Sequence, residues 1–331
     1  LGPDNYGILS IVESILSILI AVSAVGLDPI VIKSLKMKKY GDDVVLGTAF
    51  LFKLIASILT LFFCLIVIEF FVEDTNIKLG TYVLFPAIIF SSFNVVDYYY
   101  QYKVQSKYPV YARFFSFLFS TLLKLIVIIY ALNWTYLFYI ILFDQLFITL
   151  SYIYIRPSCI DFTKIKFSKR LANNFLSASF YLTISAISII FLSRTDQIMI
   201  KSMLTNFDLG NYSASQKIVE VSYIIPTILM SSILPKIIEK LNSGIEEQNL
   251  FLARLFKIVV LSSIIVSALI FLSSDALILL IFGNKFTLSS KLLRIYSFCI
   301  IFYSIKVSFQ QVLYAKGLEK NIMFQSIFTF I

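Results

Sequence analysis

Charged residues inside long apolar stretches are the part of this sequence whose chemistry is most informative. Seven cations lie in such stretches: Lys53, Lys124, Arg194, Lys217, Lys291, Arg294 and Lys306. An ionisable group in a membrane span is costly, so each of these residues is a functional candidate by default. Lys and Arg that line a cavity replace the hydration of an anionic ligand, and together they predict a cationic binding cavity.

Depth within the apolar stretches divides these cations into two groups. The deeper group contains our main candidates for binding the ligand, Lys53, Lys124, Lys217 and Lys306. The second group lies nearer the outer ends of its stretches and comprises Arg194, Lys291 and Arg294. Long side chains in the second group can instead extend to the membrane surface. For the deeper group, structural ion pairs are the alternative to a water-filled cavity.

Carboxylates in the same stretches are candidates for holding a coupling cation or a proton, or for neutralising the lysines. These candidates are Asp97, Asp144 and Glu220. Lys217 and Glu220 are three residues apart and can pair on one helix face. The chain has no histidine, which excludes His-ligated metals and leaves proton coupling to carboxylates. Its three scattered cysteines indicate neither a disulfide nor a metal site, so we expect no metal and no cofactor.

Prolines and a tyrosine triplet are the remaining candidates. Pro86, Pro226 and Pro235 lie within or near the ends of apolar stretches and are candidate hinges, because proline frees a carbonyl and permits a bend. The triplet 98–100 could stack against sugar rings. Its three side chains point in different directions on a helix, however, which favours an interfacial aromatic belt.

The elements that carry these residues are predicted to be membrane-spanning helices. The chain is 59% hydrophobic with a mean hydropathy of +0.89, well above a soluble domain. Unbroken apolar stretches of about 20 residues indicate helices rather than barrel strands, which predicts an all-α polytopic membrane protein. We expect nine full spans and part of a tenth that begins near Asn321: 6–32, 44–71, 80–102, 110–131, 134–155, 171–200, 209–234, 250–272 and 286–314.

The loops between these spans differ in charge from one side of the membrane to the other. One side holds 18 Lys and Arg in loops 33–43, 103–113, 156–170, 236–257 and 316–320, and the opposite side holds three. Because cytoplasmic loops are enriched in Lys and Arg, the basic side is predicted to be cytoplasmic. The net charge of +9 then reflects topology, and a nucleic-acid partner is not expected.

The longest cytoplasmic connection predicts the domain organisation. Residues 156–170 contain five basic residues and an amphipathic piece, "FTKIKFSKR", expected to lie on the inner leaflet. We therefore predict an N-terminal helical bundle at 1–155, a basic linker at 156–170 and a C-terminal bundle at 171–331. A solvated basic loop is the alternative for the linker.

Two short segments predict an internal repeat. The opening "LGPDNYGILS" aligns with "TNFDLGNYSAS" at 205–215 when Gly7 is placed on Gly210, and each segment leads into an inward-directed span. Internal repeats are common in secondary transporters, although chance similarity of two turns is the alternative. The second segment follows a full span and the first does not. We therefore expect a fragment that lacks its first helix and its C-terminal end.

The segment 194–237 resembles the signature of Wzx-type polysaccharide flippases of the MOP exporter superfamily. The resemblance rests on an Asp–Gln pair, a Gly–Tyr turn and two prolines before a basic end: Asp196, Gln197, Gly210, Tyr212, Pro226, Pro235 and Lys236. The first 35 residues resemble the family's second span, with Tyr6–Gly7 at its head and Gly26–Asp28 near its foot. Relatives in the superfamily include MATE-type multidrug exporters and lipid II flippases.

This resemblance implies two six-helix bundles that work by alternating access, here incomplete at both ends. It implies ion-coupled export of a polyprenyl-diphosphate-linked oligosaccharide repeat unit across the bacterial inner membrane, for O-antigen or capsule synthesis. Membrane lipids, a polysaccharide polymerase and a chain-length regulator are the implied partners.

Two classes of alternative remain open. A cation-coupled multidrug exporter or a lipid II flippase would use the same fold. A membrane polymerase or glycosyltransferase would be an enzyme, but the short outward loops and the absence of a DxD motif in the cytoplasmic loops disfavour one.

Overall fold

The computed structural model describes residues 1–160, 162, 165–241 and 245–315, and every regular element in these ranges is helical. This confirms the predicted all-α class for the described chain. The helices are α1 Pro3–Ala24, α2 Asp28–Met37, α3 Asp42–Phe71, α4 Thr75–Phe90, α5 Val95–Tyr102, α6 Lys107–Ile129, α7 Tyr136–Tyr154, α8 Lys169–Met203, α9 Asn206–Ser222, α10 Ile224–Leu241, α11 Ile245–Ile281, α12 Ser289–Ser297 and α13 Cys299–Ala315. A 3₁₀ turn at Ser91–Asn94 separates α4 from α5.

Eight predicted spans coincide with helical stretches that are long and apolar enough to cross a membrane. Seven are single stretches among the described residues: Pro3–Met37, Asp42–Phe70, Thr75–Tyr102, Lys107–Ile129, Tyr136–Tyr154, Glu246–Ile281 and Ser289–Leu313. The eighth combines two parts that meet at a bend of 49°, Lys169–Phe180 and Leu182–Phe191. The predicted tenth span lies outside the described residues.

The remaining predicted span, 209–234, does not form one apolar helix. Its residues are divided between α9 and α10, which meet at Tyr223. Helix α9 buries polar side chains such as Asn211 and Gln216, and the segment is not among the candidate spans. The count of nine spans therefore stays a prediction.

A turn interrupts the first predicted span. Helix α1 ends at Ala24, and Val25 and Gly26 adopt left-handed conformations with φ of 50° and 54°. Helix α2 then begins at Asp28, with proline in its first turn. Two features favour glycine at position 26. A Cβ would be strained at this φ, and it would lie 2.8 Å from the backbone nitrogen of Thr183.

The candidate hinge prolines differ in their local structure. Pro86 lies inside α4, which continues as an α-helix to Phe90. Pro226 lies in the first turn of α10, directly after the break at Tyr223. A proline clashes with the carbonyl four residues earlier, so Pro226 explains why α9 ends at Ser222. Pro235 lies within the bounds of α10.

Several predicted loops are largely helical, which corrects their boundaries. The end of α10 and the start of α11 occupy the described part of the predicted loop 236–257. Helix α11 also extends to Ile281, well into the predicted outer loop. Apolar composition marks the thickness of hydrocarbon, whereas a helix can begin outside it on charged residues, as α11 does at Glu246 and Glu247. The predicted loop 316–320 lies outside the described residues.

The chain divides by packing into two compact units. Unit 1 comprises Leu1–Ser10 together with the described residues from Asp196 onward, and unit 2 comprises Ile11–Thr195. Unit 1 has two apolar clusters of buried side chains. One includes Val219, Leu293 and Ile300. The other includes Met230, Val259 and Val307. The division into bundles at 1–155 and 171–331 stays a prediction.

Two glycines allow α1 and α9 to cross closely within unit 1. A Cβ on Gly7 would lie 2.9 Å from the backbone nitrogen of Gly210, and a Cβ on Gly210 would overlap the carbonyl of Pro3. Neither backbone can yield to a side chain there. The crossing therefore requires glycine at both positions.

Unit 2 has one main apolar cluster, which brings α2, α3, α5, α7 and the start of α8 together. Its fully buried members include Leu27, Leu35, Val45, Leu46, Val95, Val96 and Tyr152. Helices α6 and α7 pack against each other as an antiparallel pair. Helix α6 contributes small residues to its buried face, including Ala112, Ser116 and Ser120.

The described part of the predicted linker lies against the start of α3. Phe162 and residues 165–168 are not helical. Lys166 forms an ion pair with Asp43 at 2.5 Å, and the Ser168 backbone N–H donates to Thr48 Oγ1 at 3.1 Å. These contacts fix the described linker residues to unit 2. The rest of the predicted amphipathic piece lies outside the described residues.

Candidate functional site

Lys53 is the only one of the predicted cations whose side chain is buried. It lies on α3 with 1% of its surface exposed, deep in unit 2. Its ammonium donates to the hydroxyl of Tyr98 at 2.8 Å and lies 5.0 Å from the centre of the same ring. A buried charge is costly unless it is hydrogen-bonded and opposed by another charge, so the surrounding groups decide whether Lys53 can be tolerated.

Two carboxylates supply that opposing charge. The hydroxyl of Tyr98 donates to Asp28, at the start of α2. The phenol therefore links the exposed carboxylate of Asp28 to the buried ammonium of Lys53 by two hydrogen bonds. Asp97 also acts electrostatically on Lys53. Helices α2, α3 and α5 are thus connected by one polar chain through Tyr98.

Asp97 is itself held by an ion pair. Arg113 on α6 contacts Asp97 Oδ2 at 2.5 Å, and its Nε donates to the hydroxyl of Tyr152 on α7 at 3.1 Å. Asp97 is 7% exposed and Tyr152 is fully buried. The arrangement follows from α5, which turns the neighbouring residues Asp97 and Tyr98 about 100° apart, toward different helices.

We call this group the Lys53 cluster: Asp28, Lys53, Asp97, Tyr98, Arg113 and Tyr152. The sequence had placed Arg113 in a cytoplasmic loop, but it lies in α6, two turns past the helix start. The spacing of Asp97 and Arg113 around a short loop was the signal that could have found the pair. In this arrangement Lys53 is enclosed by unit 2, and its side chain reaches no open surface.

The interfacial-belt interpretation of the tyrosine triplet is wrong for two of its members. Tyr98 and Tyr100 are 3% and 9% exposed. The hydroxyl of Tyr100 donates to the carbonyl of Ile155. Both phenols serve buried hydrogen bonds inside unit 2, because α5 is short and packed by α2 and α3. Tyr99 is partly buried against the same apolar cluster.

The other predicted cations lie on exposed helix surfaces. They are Lys124 on α6, Lys217 on α9, Lys291 and Arg294 on α12, and Lys306 on α13. Arg294 donates to Ser274 Oγ at 2.9 Å and pairs with Asp275, both on α11. Arg194 is half-buried on α8. The structure brings none of these residues to the Lys53 cluster.

The remaining predicted carboxylates have separate surroundings. Asp144 is half-buried on α7 and accepts a hydrogen bond from Ser116 Oγ at 2.6 Å. The predicted Lys217–Glu220 ion pair does not form between these two described side chains; Lys217 is exposed and Glu220 is half-buried.

Glu220 instead lines a groove of about 350 Å³ within unit 1. Tyr223 and Tyr303 stack in this groove with ring centres 3.9 Å apart and planes 9° apart. Thr227 and two isoleucines complete its lining. The break between α9 and α10 opens the groove, since Tyr223 lies at that break. A carboxylate beside aromatic rings and a hydroxyl suits a ligand with polar groups on a flat apolar face.

Unit 1 also contains a polar group that the sequence resemblance had singled out only in part. Asp196 Oδ2 accepts from the hydroxyls of Tyr212 and Tyr296, the latter at 3.3 Å, and from Gln216 Nε2 at 3.3 Å. The two phenol oxygens lie 2.5 Å apart. Gln197 Nε2 donates to Gln216 Oε1 at 2.6 Å.

This second group, the Asp196 cluster, is completed by Ser10, whose hydroxyl donates to Gln197 Oε1 at 3.1 Å. It connects α1, α8, α9 and α12 within unit 1. Sequence reasoning noted the Asp196–Gln197 pair as a family signature but did not connect it with side chains on α9 or α12. The tyrosine on α12 carried no signal, because its distance along the chain hides the contact.

A cavity of about 260 Å³ lies beside the start of α3 in unit 2. Its lining includes Phe50, Cys159, Phe162 and the paired Asp43 and Lys166. Burial raises the pKa of the Cys159 thiol above its ordinary value, so the thiolate is disfavoured there. Among the described residues, no three His, Cys, Asp or Glu side chains come together as a metal site requires.

These features define the class: an all-helical chain with several apolar helices long enough to span a membrane, whose charged residues are partly gathered into buried clusters. Residues 1–240 match the model of a family described as polysaccharide biosynthesis protein, and the chain belongs to that family. Members typically act as transporters rather than enzymes. Searches of curated proteins and of solved structures found no significant match.

Proposed function

We propose that this protein is a flippase that moves a polyprenyl-diphosphate-linked oligosaccharide across the bacterial inner membrane by alternating access, for surface polysaccharide synthesis. The observation that carries the proposal is the family match over residues 1–240 of a chain of apolar helices. A diphosphate and a glycan cannot cross hydrocarbon unaided. A member of a polysaccharide family that is built of such helices is therefore suited to carrying them across the membrane.

The exposed cations on spanning helices support an anionic substrate. Lys124 and Lys306 lie on α6 and α13, away from any described ion pair. An unpaired ammonium facing lipid would be costly, whereas one facing a substrate path can bind phosphate oxygens. Lys217 and, nearer helix ends, Arg194, Lys291 and Arg294 are further candidates. Lys53 has a different proposed role. Because it is enclosed, it holds helices α2, α3 and α5 of unit 2 together through Tyr98.

The glycan part of the substrate has a candidate contact in the groove at Glu220, Tyr223 and Tyr303. Aromatic faces bind the apolar faces of sugar rings, and a carboxylate accepts their hydroxyl protons. The groove thus suits a neutral sugar better than a bare phosphate.

The close crossing of α1 and α9 supports the proposed repeat. Gly7 meets Asn206 while Gly210 meets Pro3, and in each case the partner lies four residues before the opposite glycine. Such reciprocity is expected of two equivalent helices related by a pseudo-two-fold axis. We propose that bundles 1–155 and 171–331 are the two repeats, with loops 33–43, 103–113 and 156–170 in the cytoplasm.

Complementation tests the function directly. The full-length gene, expressed in a strain that lacks its polysaccharide flippase, is expected to restore surface polysaccharide. A variant that carries Lys124→Ala and Lys306→Ala tests the proposed substrate path and should lower polysaccharide export at unchanged protein level. Restored drug resistance without polysaccharide would reject the flippase in favour of a multidrug exporter. Polymerase and chain-length regulator, the proposed partners, would be tested by co-purification from the complemented strain.

A further inference from the structure

The Asp196 cluster holds a carboxylate whose charge is met only by neutral groups. Its described partners are two phenols, one amide and a backbone N–H. No described Lys or Arg forms an ion pair with Asp196. We propose that Asp196 is a proton-binding site whose protonation loosens the contact of α12 with α8 and α9. The assignment of Asp196 as the coupling site of transport rests on the proposed function.

The side-chain hydrogen bonds of the cluster can be oriented as two chains of donors that both end at Asp196. Ser10 donates to Gln197, which donates to Gln216, which donates to the carboxylate. On the other side, Tyr296 can donate to Tyr212, which donates to the carboxylate. A converging set of donors stabilises the ionised form.

A proton on Asp196 would disturb this set, because the carboxylic acid is itself a donor. Tyr212 donates to the oxygen shared with Gln216 and Tyr296, and fewer acceptor sites would then serve the same donors. Tyr212 and Tyr296 are half-buried, and a donor there that loses its acceptor costs free energy, so the tyrosines would turn away. Tyr296 is the part of α12 that reaches the cluster, and α12 would lose its polar link to α8.

None of the described charged side chains around Asp196 forms an ion pair with it. From α9 and α12 it faces Tyr212 and Tyr296. Arg294 on α12 is engaged by Ser274 and Asp275. On α8 itself, Lys201 donates to Asn206 and Arg194 is half-buried. Lys291 on α12 is exposed, as is Asp4, the one charged side chain among residues 1–10.

The other candidate carboxylates are less suited to releasing and taking up a proton. Asp97 is paired with Arg113 at 2.5 Å, so its charge is already met by a cation. Asp144 is joined only to Ser116 in the neighbouring helix, so its protonation would disturb one hydrogen bond. Asp196 differs from both, since it has no described ion-pair partner and accepts hydrogen bonds from side chains on two other helices, α9 and α12.

Infrared difference spectroscopy on the purified full-length protein tests the site without any substrate. On acidification, wild-type protein is expected to gain a protonated-carboxyl band that Asp196→Asn lacks and that the control Asp144→Asn keeps. Identical band intensities in wild type and Asp196→Asn would overturn the proposal. Since the test needs no transport, a missing band refutes the proton site, whereas failed complementation with the band present refutes only the flippase.

A second variant keeps the test decisive if Asp196→Asn does not fold. Tyr296→Phe removes one donor to the ionised carboxylate and leaves Asp196 in place. Losing a donor to the ionised carboxylate favours the protonated form, so the midpoint of the band should lie at a higher pH than in wild type. A midpoint that is unchanged or lowered would contradict the assignment. The matched control is Tyr303→Phe, which alters a phenol outside the cluster and should leave the midpoint unchanged.

Discussion

At the scale of single residues, burial decides the role of a charged side chain. Lys53 and Lys124 look alike in sequence, since each is a lysine in an apolar stretch. The structure encloses Lys53 and binds it to Tyr98, but leaves Lys124 on an exposed surface. Position on the helix face accounts for the difference, because only one face of α3 meets α5.

Replacing Lys53 is expected to be milder than removing its partner. Lys53→Met keeps most of the volume and removes the buried charge, so the free energy of unfolding should change by about 1 kcal/mol or less. Tyr98→Phe leaves the ammonium buried without its acceptor and should cost about 1–3 kcal/mol. Thermal unfolding in detergent measures both. A Lys53→Met protein that melts below Tyr98→Phe would contradict this account.

Removing Arg113 should destabilise the fold, because it leaves the charge of Asp97 without its partner. Arg113→Leu leaves a nearly buried carboxylate unpaired, and because the guanidinium is about half exposed we expect a moderate loss of about 1–3 kcal/mol. Adding Asp97→Asn to Arg113→Leu should recover part of that loss. The double-mutant cycle, measured by thermal unfolding, would show no coupling if the pair were incidental.

At the scale of elements, close packing and helix breaks shape unit 1. The crossing of α1 and α9 depends on glycine, whereas the break at Tyr223 opens the groove beside Glu220. Apolar periodicity predicts a helix through both places, since it reports which residues avoid water. It carries no information about how near a second backbone comes.

Substitution at the crossing tests its tightness. Gly210→Ala would force its Cβ into the Pro3 carbonyl and should destabilise the fold by about 1–3 kcal/mol. Gly2→Ala is a matched control, because nothing lies within 4 Å of a Cβ there, and it should change stability by less than about 0.5 kcal/mol. Equal melting temperatures for the two variants would refute the close approach.

At the scale of the whole molecule, the sidedness of the loops remains to be measured. With Cys64, Cys159 and Cys299 replaced by serine, single cysteines at Ser106 and Asn133 should be labelled from opposite sides of the membrane. Both positions are exposed between helices. The charge bias places Ser106 in the cytoplasm. A membrane-impermeant maleimide applied to intact cells should therefore reach only Asn133→Cys. Labelling of Ser106→Cys would invert the topology.

The sequence by itself determined the helical class of this protein and most of the stretches that are apolar enough to span a membrane. These properties follow from composition and from local hydrogen bonding, since a chain in hydrocarbon must satisfy its backbone within each helix. The same reasoning singled out Lys53 and Asp97 as charges in apolar stretches and Asp196 as part of a family signature, but it did not pair any of them.

Only the tertiary structure decided which charges meet. Arg113 joins Asp97 from a neighbouring helix, and Tyr296 reaches Asp196 from a helix 100 residues further along the chain. Such contacts depend on which faces of two helices pack together, and helix rotation is set by side-chain fit rather than by hydropathy. For that reason the two polar clusters join residues that the sequence had treated separately, as charges in apolar stretches, loop residues, belt tyrosines and signature residues.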